Sequence, residues 1–542
     1  MKPRKTLCLL LALAMILSLT ACGGSSSGAG TPAAENGGEA APAAQNTPAE
    51  APAEEAPAET ASDTLRLAVA SEPNHLNPKG IPEVVDEWIL PNIMETLLTF
   101  DADGNLIPML AESYEYVSDT EMLWHLRQGV KFHNGEEMTA EDALYSLWLT
   151  SQGIIIDGNV ADIDFDKSEV VDDYTFRLVF TQPSLAELYY FTWMTTSIVC
   201  KSAWEEMGEE QYAIAPIGTG PYKFVSWDAN GTITLEAFED YWDGDNAAHI
   251  PNLVFTVIED ANARAIALET GTVDFAYQIS IADIPALEAS DNVVVYEGPS
   301  EDVHTMMING QNSPVEALHD PLVRRAMIMA LDREALVDAI YDGRGTVADS
   351  ILTPSTFGYN DTFGKEAYPY DPEGAKALLE EAGYGDGFSF KFMVMDDTTQ
   401  ITMAEACRSM WEQVGIDCQI DVLEMGSFMN YFDASEFDVM YNYIAITTGD
   451  ADDILKMLFY SKFNNNFNDP KLDELINAQH FEMDEDARLQ AIYDLQEYLT
   501  ELTYAVNLFN LDVIFGYRTG LDGFVEPRML MYRDMAGVYF TD

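Results

Sequence analysis

Apolar and polar residues alternate in short runs along the chain from residue 64 onward, and this alternation predicts β-strands. In the first run, residues 65, 67 and 69 are apolar and the positions between them form the opposite face. Further on, strand patterns over Phe388–Met395 and Asp417–Glu424 enclose a helical pattern over Thr402–Val414. This order predicts an α/β unit with a partly parallel sheet.

Apolar residues three and four positions apart predict helices between these strands. The longest such pattern extends from Asp320 to Tyr341, where residues 322, 323, 326, 327, 330 and 331 are apolar. A shorter helix over Asn262–Thr270 ends at Gly271, a position where glycine is favoured. The chain therefore belongs to the α/β class of folds.

The first 22 residues have the pattern of an export signal. Positive charges at the start precede an apolar segment, Leu9–Leu19, which is too short to span a membrane comfortably. The segment ends in Leu19-Thr20-Ala21-Cys22, which resembles the bacterial lipobox. That resemblance implies cleavage before Cys22 and attachment of lipid to its sulfur. An ordinary secretory peptide is the alternative.

Residues 23–62 contain no aromatic residue and no large aliphatic residue. Such a composition cannot bury enough apolar surface to offset the entropy of ordering, so we assign 23–63 as a disordered tether. With the lipoprotein signal peptide at 1–22, it predicts a body on the extracytoplasmic face of the bacterial membrane. The lipid is its only predicted attachment to that membrane.

The charge of the chain limits its partners. Asp plus Glu number 92 and Lys plus Arg number 27, for a formal net charge of −65. A protein this acidic cannot neutralise phosphates, so nucleic acids and anionic lipid surfaces are excluded as general partners. A large anionic ligand is disfavoured for the same reason, and a cationic or zwitterionic ligand is favoured.

No catalytic or metal-binding pattern stands out in the sequence. The five cysteines form no CxxC pair, and the seven histidines include no HxxxH spacing. A GxSxG match at Gly24–Gly28 lies in the tether, without the strand and helix that such an elbow needs. We therefore expect no enzyme activity, no cofactor and no metal.

Several sequence blocks occur in an order that points to one family. These are Glu95–Leu98, Asp101–Gly104, Pro108–Ser113, Leu126–Asp142, Gly218–Tyr222, Pro321–Ala326 and Tyr370–Tyr384. They closely resemble the signature of the extracellular solute-binding proteins of family 5, which serve peptide, nickel and opine ABC importers. The resemblance extends over nearly all of residues 64–542 and is specific for the family rather than for the ligand.

The resemblance implies a two-lobed α/β clamshell, like that of periplasmic binding proteins, with an extra subdomain in lobe one. The implied segments are 64–105, 219–303 and 514–542 for lobe one, 106–218 for its extra subdomain, and 304–513 for lobe two. The chain would cross between the lobes near Val303–Asn309 and near Thr503–Asp512. Both crossings are apolar, strand-like segments suited to a hinge.

The same resemblance implies a binding function. The protein would capture a small solute, peptide or peptide-like, and deliver it to an ABC permease with its ATPase. We expect the receptor to be a monomer. Two alternatives remain open: presentation of the solute to a sensor, or a chaperone role, on the same fold, and an enzyme on the cell surface. A nickel chelate or an opine also remains open as the solute.

Two segments are candidates for the solute site, because such sites lie between lobes at strand ends and loops. The candidate residues are Asn74, His75 and Leu76 in the first segment, and Tyr441, Asn442, Tyr443, Thr447 and Asp450 in the second. Tyrosine offers a flat apolar face and a polar tip to a small solute. Arg127 and Arg324, which belong to the family blocks, are expected to support the fold instead.

One position departs from the pattern of peptide-binding members. These often carry a D-x-x-D-P-D run whose first aspartate pairs with the amino terminus of the peptide, whereas residues 447–452 here read T-T-G-D-A-D. Thr447 replaces the first aspartate. We therefore expect amine-anchored peptides to bind weakly unless Asp450 takes over the anchoring.

Overall fold

A computed structural model describes most of the chain from Asp63 onward. The described residues are 63–79, 84–101, 104–153, 160–364, 366–446, 448–462, 466–524 and 534–541. The predicted signal peptide with Cys22, nearly all of the predicted tether, and Thr447 lie outside these ranges. Within them, no helix has both the length and the apolar character needed to cross a membrane.

The larger of the two main sheets has eight strands. In spatial order they are Val293–Pro299, Phe509–Arg518, Phe275–Tyr277, Thr64–Val69, Asn252–Val257, Thr232–Ala237 and Tyr222–Trp227, with Gly345–Val347 paired to Phe509–Arg518. The predicted first strand, Thr64–Val69, lies inside this sheet and pairs in parallel with both of its neighbours. Its residues at 65 and 67 are fully or almost fully buried, as the alternation predicts.

The second sheet has five strands. In spatial order they are Ile416–Leu423, Phe388–Met395, Val439–Ala445, Asp302–Ile308 and Ala505–Asn507. The strand Phe388–Met395 pairs in parallel with both neighbours, and helices follow it and the next strand. The α/β unit predicted over residues 385–445 is confirmed.

Smaller sheets account for the remaining strands. A four-stranded antiparallel sheet contains Ala111–Ser118, Glu121–Leu126, Thr175–Val179 and Glu169–Asp172 in spatial order. Two short pairs are Leu98–Phe100 with Leu106–Pro108, and Leu521–Asp522 with Tyr539–Phe540.

Helices cover the sheets and connect their strands. The α-helices are Asp86–Ile93, Ala140–Thr150, Glu187–Tyr190, Lys201–Met207, Glu209–Tyr212, Ala261–Glu269, Ile284–Glu288, Pro321–Met329, Arg333–Tyr341, Pro372–Glu381, Thr398–Gln413, Met425–Asp433, Ala451–Phe459, Pro470–His480 and Glu485–Leu502. Short 3-10 helices are Met194–Thr196, Gly244–Asn246, Ile281–Asp283 and Glu316–His319.

The prediction of a single long helix over residues 320–341 is wrong. The structure has two helices there, and the second begins after Asp332, whose side chain accepts a hydrogen bond from the backbone N–H of Ala335 at 3.0 Å. An aspartate that caps a helix in this way favours a new start over continuation. The apolar spacing hides the break because apolar residues of both helices, such as Met327 and Leu336, are buried in the same core.

Two short connections between the main sheets lie side by side. The chain leaves the eight-stranded sheet at Pro299 and enters the five-stranded sheet at Asp302, and it returns between Asn507 and Phe509. On the eight-stranded side Pro299 is in register with Asp512. The predicted crossing segment Thr503–Asp512 contains the second connection, whereas Val303–Asn309 lies in and just after the strand that follows the first connection.

Each main sheet has its own apolar core. Trp88, Phe275 and Phe515 pack together under the eight-stranded sheet. Trp411 lies in the core of the five-stranded sheet and donates a hydrogen bond from its indole N–H to the carbonyl of Met327 at 2.8 Å. Because each main sheet has its own core, space remains between the two sheets for a site.

Candidate functional site

A cavity of about 790 Å³ lies between the two main sheets. Its wall on the eight-stranded side includes Tyr277 and Asp512, and its wall on the five-stranded side includes Asp302, His304 and Tyr443. The volume is in the range of small-molecule sites. A solute held here would contact both sheets at once.

Aromatic side chains form the wall on the five-stranded sheet. His304 is in register with Tyr443 on the neighbouring strand, and their rings are 6.0 Å apart and stacked. The Nδ1 of His304 lies 2.7 Å from the Oη of Tyr441 in a buried hydrogen bond. Burial lowers the pKa of His304 to about 3, so its imidazole is neutral. Tyr443 is 47% exposed and presents its ring to the cavity.

Carboxylates dominate the charge of the cavity. The acidic lining residues are Glu87, Glu301, Asp302, Asp396, Asp397, Glu424 and Asp512. Asp397 and Glu424 cap the N-termini of the helices that follow them, so these positive helix ends are already compensated. Burial, and the nearby Glu297, raise the pKa of Asp512.

Arg344 is the one lysine or arginine among the described lining residues. Its guanidinium pairs with Glu297 and lies 3.9 Å from Glu288, and neither glutamate lines the cavity. Glu297 and Glu288 thus offset part of its charge, and the carboxylates of the cavity lining outnumber it.

The first predicted segment lies apart from this cavity. Asn74 is exposed, His75 is partly buried, and Leu76 is fully buried in the core under the eight-stranded sheet. The backbone N–H of Leu76 donates to the carbonyl of Ala213 at 2.6 Å. The loop is thus fixed against residues of the predicted subdomain, and none of its three candidates lines the cavity.

Only part of the second predicted segment, residues 441–450, lines the cavity. Tyr441 and Tyr443 line the cavity, whereas Asn442 does not. Successive side chains of a strand point to opposite faces, so Asn442 faces away from its two neighbours. Thr447 lies outside the described residues.

Asp450 is held in the interior and does not line the cavity. Its side chain is 1% exposed and pairs with Arg488, and one of its oxygens also accepts the backbone N–H of Asp452 at 2.8 Å. It therefore caps the helix Ala451–Phe459. A carboxylate whose oxygens are satisfied in this way has little left to offer a ligand.

His304 is one of the cavity residues that the sequence analysis does not identify. No other histidine is close to His304 at a metal-ligand spacing in the sequence, and its hydrogen-bond partner Tyr441 is 137 positions away. The signal that could have found it is its position in a strand-like segment at a predicted crossing between lobes. Arg324 behaves as expected, because it is buried and donates to the backbone carbonyls of Leu318 and Leu502.

Comparisons with known proteins identify the family. A sequence profile of the bacterial extracellular solute-binding proteins of family 5 matches residues 105–466. The glutathione-binding protein GsiB of Pectobacterium atrosepticum is 28% identical over 431 residues, which cover 76% of this chain and 82% of that protein. The dipeptide-binding protein of Escherichia coli K12 is 29% identical over 382 residues, covering 65% and 70%.

Solved structures have the same fold. The substrate-binding protein CtaP of Listeria monocytogenes matches with a TM-score of 0.79 at 22% identity, over 89% of this chain and 100% of that one. The periplasmic binding protein DppA of Helicobacter pylori, in complex with the peptide STSA, matches with a TM-score of 0.75 at 22% identity, over 89% and 99%. The predicted two-lobed α/β fold is confirmed. The chain belongs to the bacterial extracellular solute-binding proteins of family 5.

Proposed function

We propose that this protein is the lipid-anchored solute receptor of an ABC importer on the extracytoplasmic face of a bacterial membrane. It captures a peptide or peptide-like solute between its lobes and delivers it to the permease and ATPase. The cavity lined by both main sheets carries this proposal. The names of the relatives support the solute class, since a dipeptide and glutathione are both peptide-like.

Capture would use the two connections at residues 299–302 and 507–509 as a hinge. A solute that contacts Tyr277 on one side and Tyr443 on the other favours the closed arrangement by its differential affinity for it. Small-angle scattering with and without bound solute should therefore give a smaller radius of gyration for the complex. An unchanged radius at saturation would count against closure.

The proposed contact residues are Tyr441 and Tyr443, retained from the sequence, together with His304 and Tyr277. The aromatic rings can cover the apolar parts of a solute and face its cationic groups. The acidic lining adds attraction for an ammonium or guanidinium. We therefore propose that the preferred peptide carries net positive charge.

Thr447 remains the proposed reason for weak anchoring of a free peptide amine. Because Asp450 already pairs with Arg488, it is a poor substitute for the aspartate replaced at Thr447. A charge-assisted hydrogen bond is worth roughly 1.5–3 kcal/mol, so Thr447→Asp should strengthen binding of free-amine peptides by about one to two decades.

The decisive experiment identifies the solute directly. Native mass spectrometry of the purified protein should find a co-purified molecule of peptide class. Calorimetric titrations then compare a dipeptide, glutathione and a lysine-containing tripeptide with its glutamate counterpart. The proposal is supported if the wild type binds the lysine-containing tripeptide and Tyr443→Ala binds it more weakly. No binding of any peptide would contradict the solute class, and preference for the glutamate tripeptide would contradict only the charge preference.

A further inference from the structure

A second polar cluster lies away from the cavity and joins two distant parts of the chain. It contains Asp162 and Glu187 from the first part, and Asp452, Lys456 and His480 from the helices Ala451–Phe459 and Pro470–His480. The side chain of His480 is 4% exposed. Its Nε2 lies 3.3 Å from an oxygen of Asp162, so the two parts meet at this histidine.

Glu187 is the unusual member of the cluster. The residue is 1% exposed, and neither of its carboxyl oxygens has a hydrogen-bond partner among the residues that the structure describes. A buried polar group without a partner is costly and rare in folded proteins, and such a group often marks the place of a bound ion or water. Both oxygens of Glu187 are therefore open to a ligand.

We propose that Asp162, Glu187 and His480 bind one divalent transition-metal ion such as Zn²⁺. One ligand atom from each of the three lies within 4.8 Å of the other two. Two carboxylates and one imidazole are ligands that zinc accepts, with a water in the fourth position. The mixed oxygen and nitrogen set favours such an ion over Mg²⁺ or Ca²⁺, which prefer oxygen ligands.

Asp452 supplies the support that a metal-binding histidine needs. The Nδ1 of His480 is 3.0 Å from both oxygens of Asp452, which leaves Nε2 facing Asp162 and the proposed ion. Metal-binding histidines usually donate their other ring N–H to a carboxylate, which fixes the orientation of the ring. Tyr190 and Gln479 hold Asp452 in place by hydrogen bonds of 3.1 and 2.5 Å.

Lys456 is the positive charge nearest to the cluster and has to be accommodated. Its Nζ lies 3.4 Å from an oxygen of Asp452, so it compensates the carboxylate that orients His480. Asp162 and Glu187 remain as the charges that face the ion. One dication with these two carboxylates is locally neutral, as a buried site requires.

Solvent can reach the proposed site. A second cavity, of about 780 Å³, is lined by Asp162, Lys456 and His480 together with Thr181 and Tyr460. This cavity gives an ion a route to the cluster and leaves room for the water in the fourth position. The spacing of histidines along the sequence predicts no metal, because the three ligands come from positions 162, 187 and 480.

Zn²⁺ and Co²⁺ titrations of the full chain test the site, independently of any solute. The protein is first stripped with EDTA, and excess Mg²⁺ is present to occupy weak surface carboxylates. We expect one Zn²⁺ per chain with a raised melting temperature, and Co²⁺ absorption typical of mixed nitrogen and oxygen ligands. Glu187→Gln should weaken Zn²⁺ binding at least tenfold. Because the Glu187 carboxylate makes no hydrogen bond to the described residues, this variant should fold.

His480→Gln should also weaken Zn²⁺, with circular dichroism as the check that it folds. The matched control is His125→Gln, which removes a partly exposed histidine 3.9 Å from Glu115 at another acidic surface. Unchanged binding in this control supports the assignment. Absence of stoichiometric Zn²⁺ in the wild type, or equal affinity in Glu187→Gln and the wild type, would overturn it.

Discussion

Arg488 holds Asp450 in a buried, two-point ion pair. Its Nη1 and Nη2 lie 2.8 and 2.5 Å from the two carboxylate oxygens, and the side chains are 2% and 1% exposed. The guanidinium also lies over the ring of Phe357 at 5.3 Å. Two parallel charge-assisted hydrogen bonds of this kind are stronger than bonds between neutral groups.

Removing one partner of this pair should destabilise the fold strongly. Asp450→Asn leaves the Arg488 charge buried without its paired carboxylate, and such a loss typically costs about 3–5 kcal/mol. The free energy of unfolding from urea denaturation measures this loss. Asp371→Asn is the control, because Asp371 also caps a helix but has no arginine partner in the described structure. A loss no larger than in the control would contradict a stabilising role for the pair.

His304 should make the protein sensitive to acid. Its folded pKa of about 3 is below the ordinary 6.5, so the folded state binds fewer protons than the unfolded state in this range. The stability that it contributes is present above pH 6.5 and is lost as the pH falls toward 3. At pH 5 the loss is about 2 kcal/mol.

The measurement compares unfolding free energies at pH 7 and pH 5 in wild type and His304→Gln. The variant should lose about 2 kcal/mol less between the two values, because glutamine does not titrate. The groups that face His304 are the hydroxyl of Tyr441 and the rings of Tyr443, Tyr341 and Phe509, and none of them ionises between pH 5 and pH 7. The same pH response in both proteins would show that His304 is not the source.

A substitution at Tyr443 should affect solute binding much more than folding. Its ring is 47% exposed at the cavity, so Tyr443→Ala should change the unfolding free energy by less than about 1 kcal/mol. If the ring faces a cationic group of the solute, affinity should fall by about three- to thirtyfold. Calorimetry with the identified solute measures this. Tyr370→Ala removes a tyrosine of similar exposure outside the cavity and should leave affinity unchanged.

The local pattern of apolar and polar residues predicts the presence of helices and strands better than it predicts where they end or what they contact. The strands and helices of residues 385–445 follow from alternation and apolar spacing, because each buries one face against a regular partner. The break before Arg333 was missed, since a capping aspartate competes with an apolar pattern that continues beyond it. Correct and incorrect predictions of secondary structure alike depend on interactions between residues that are close in sequence.

The candidate site is formed by residues that are far apart in sequence, and no local pattern predicts their contacts. The alternation around Tyr441 and Tyr443 could have excluded Asn442, because a strand sends neighbouring side chains to opposite faces. The contact of His304 with Tyr441 depends instead on pairing between strands far apart in sequence. The segment at Asn74 does not line the cavity, because burial of Leu76 anchors that loop to the core.

Membrane attachment through Cys22 is the last prediction. The apolar segment and the residues before Cys22 resemble a lipobox, so Cys22→Ser should remove the lipid attachment point. In a bacterial host, wild type should partition into the detergent phase and the variant should not. Cys8→Ser is the matched control, because Cys8 lies in the predicted signal peptide and should be absent from the mature protein. Equal partitioning of Cys22→Ser and wild type would contradict the anchor, whereas loss of partitioning in Cys8→Ser as well would point to failed export instead.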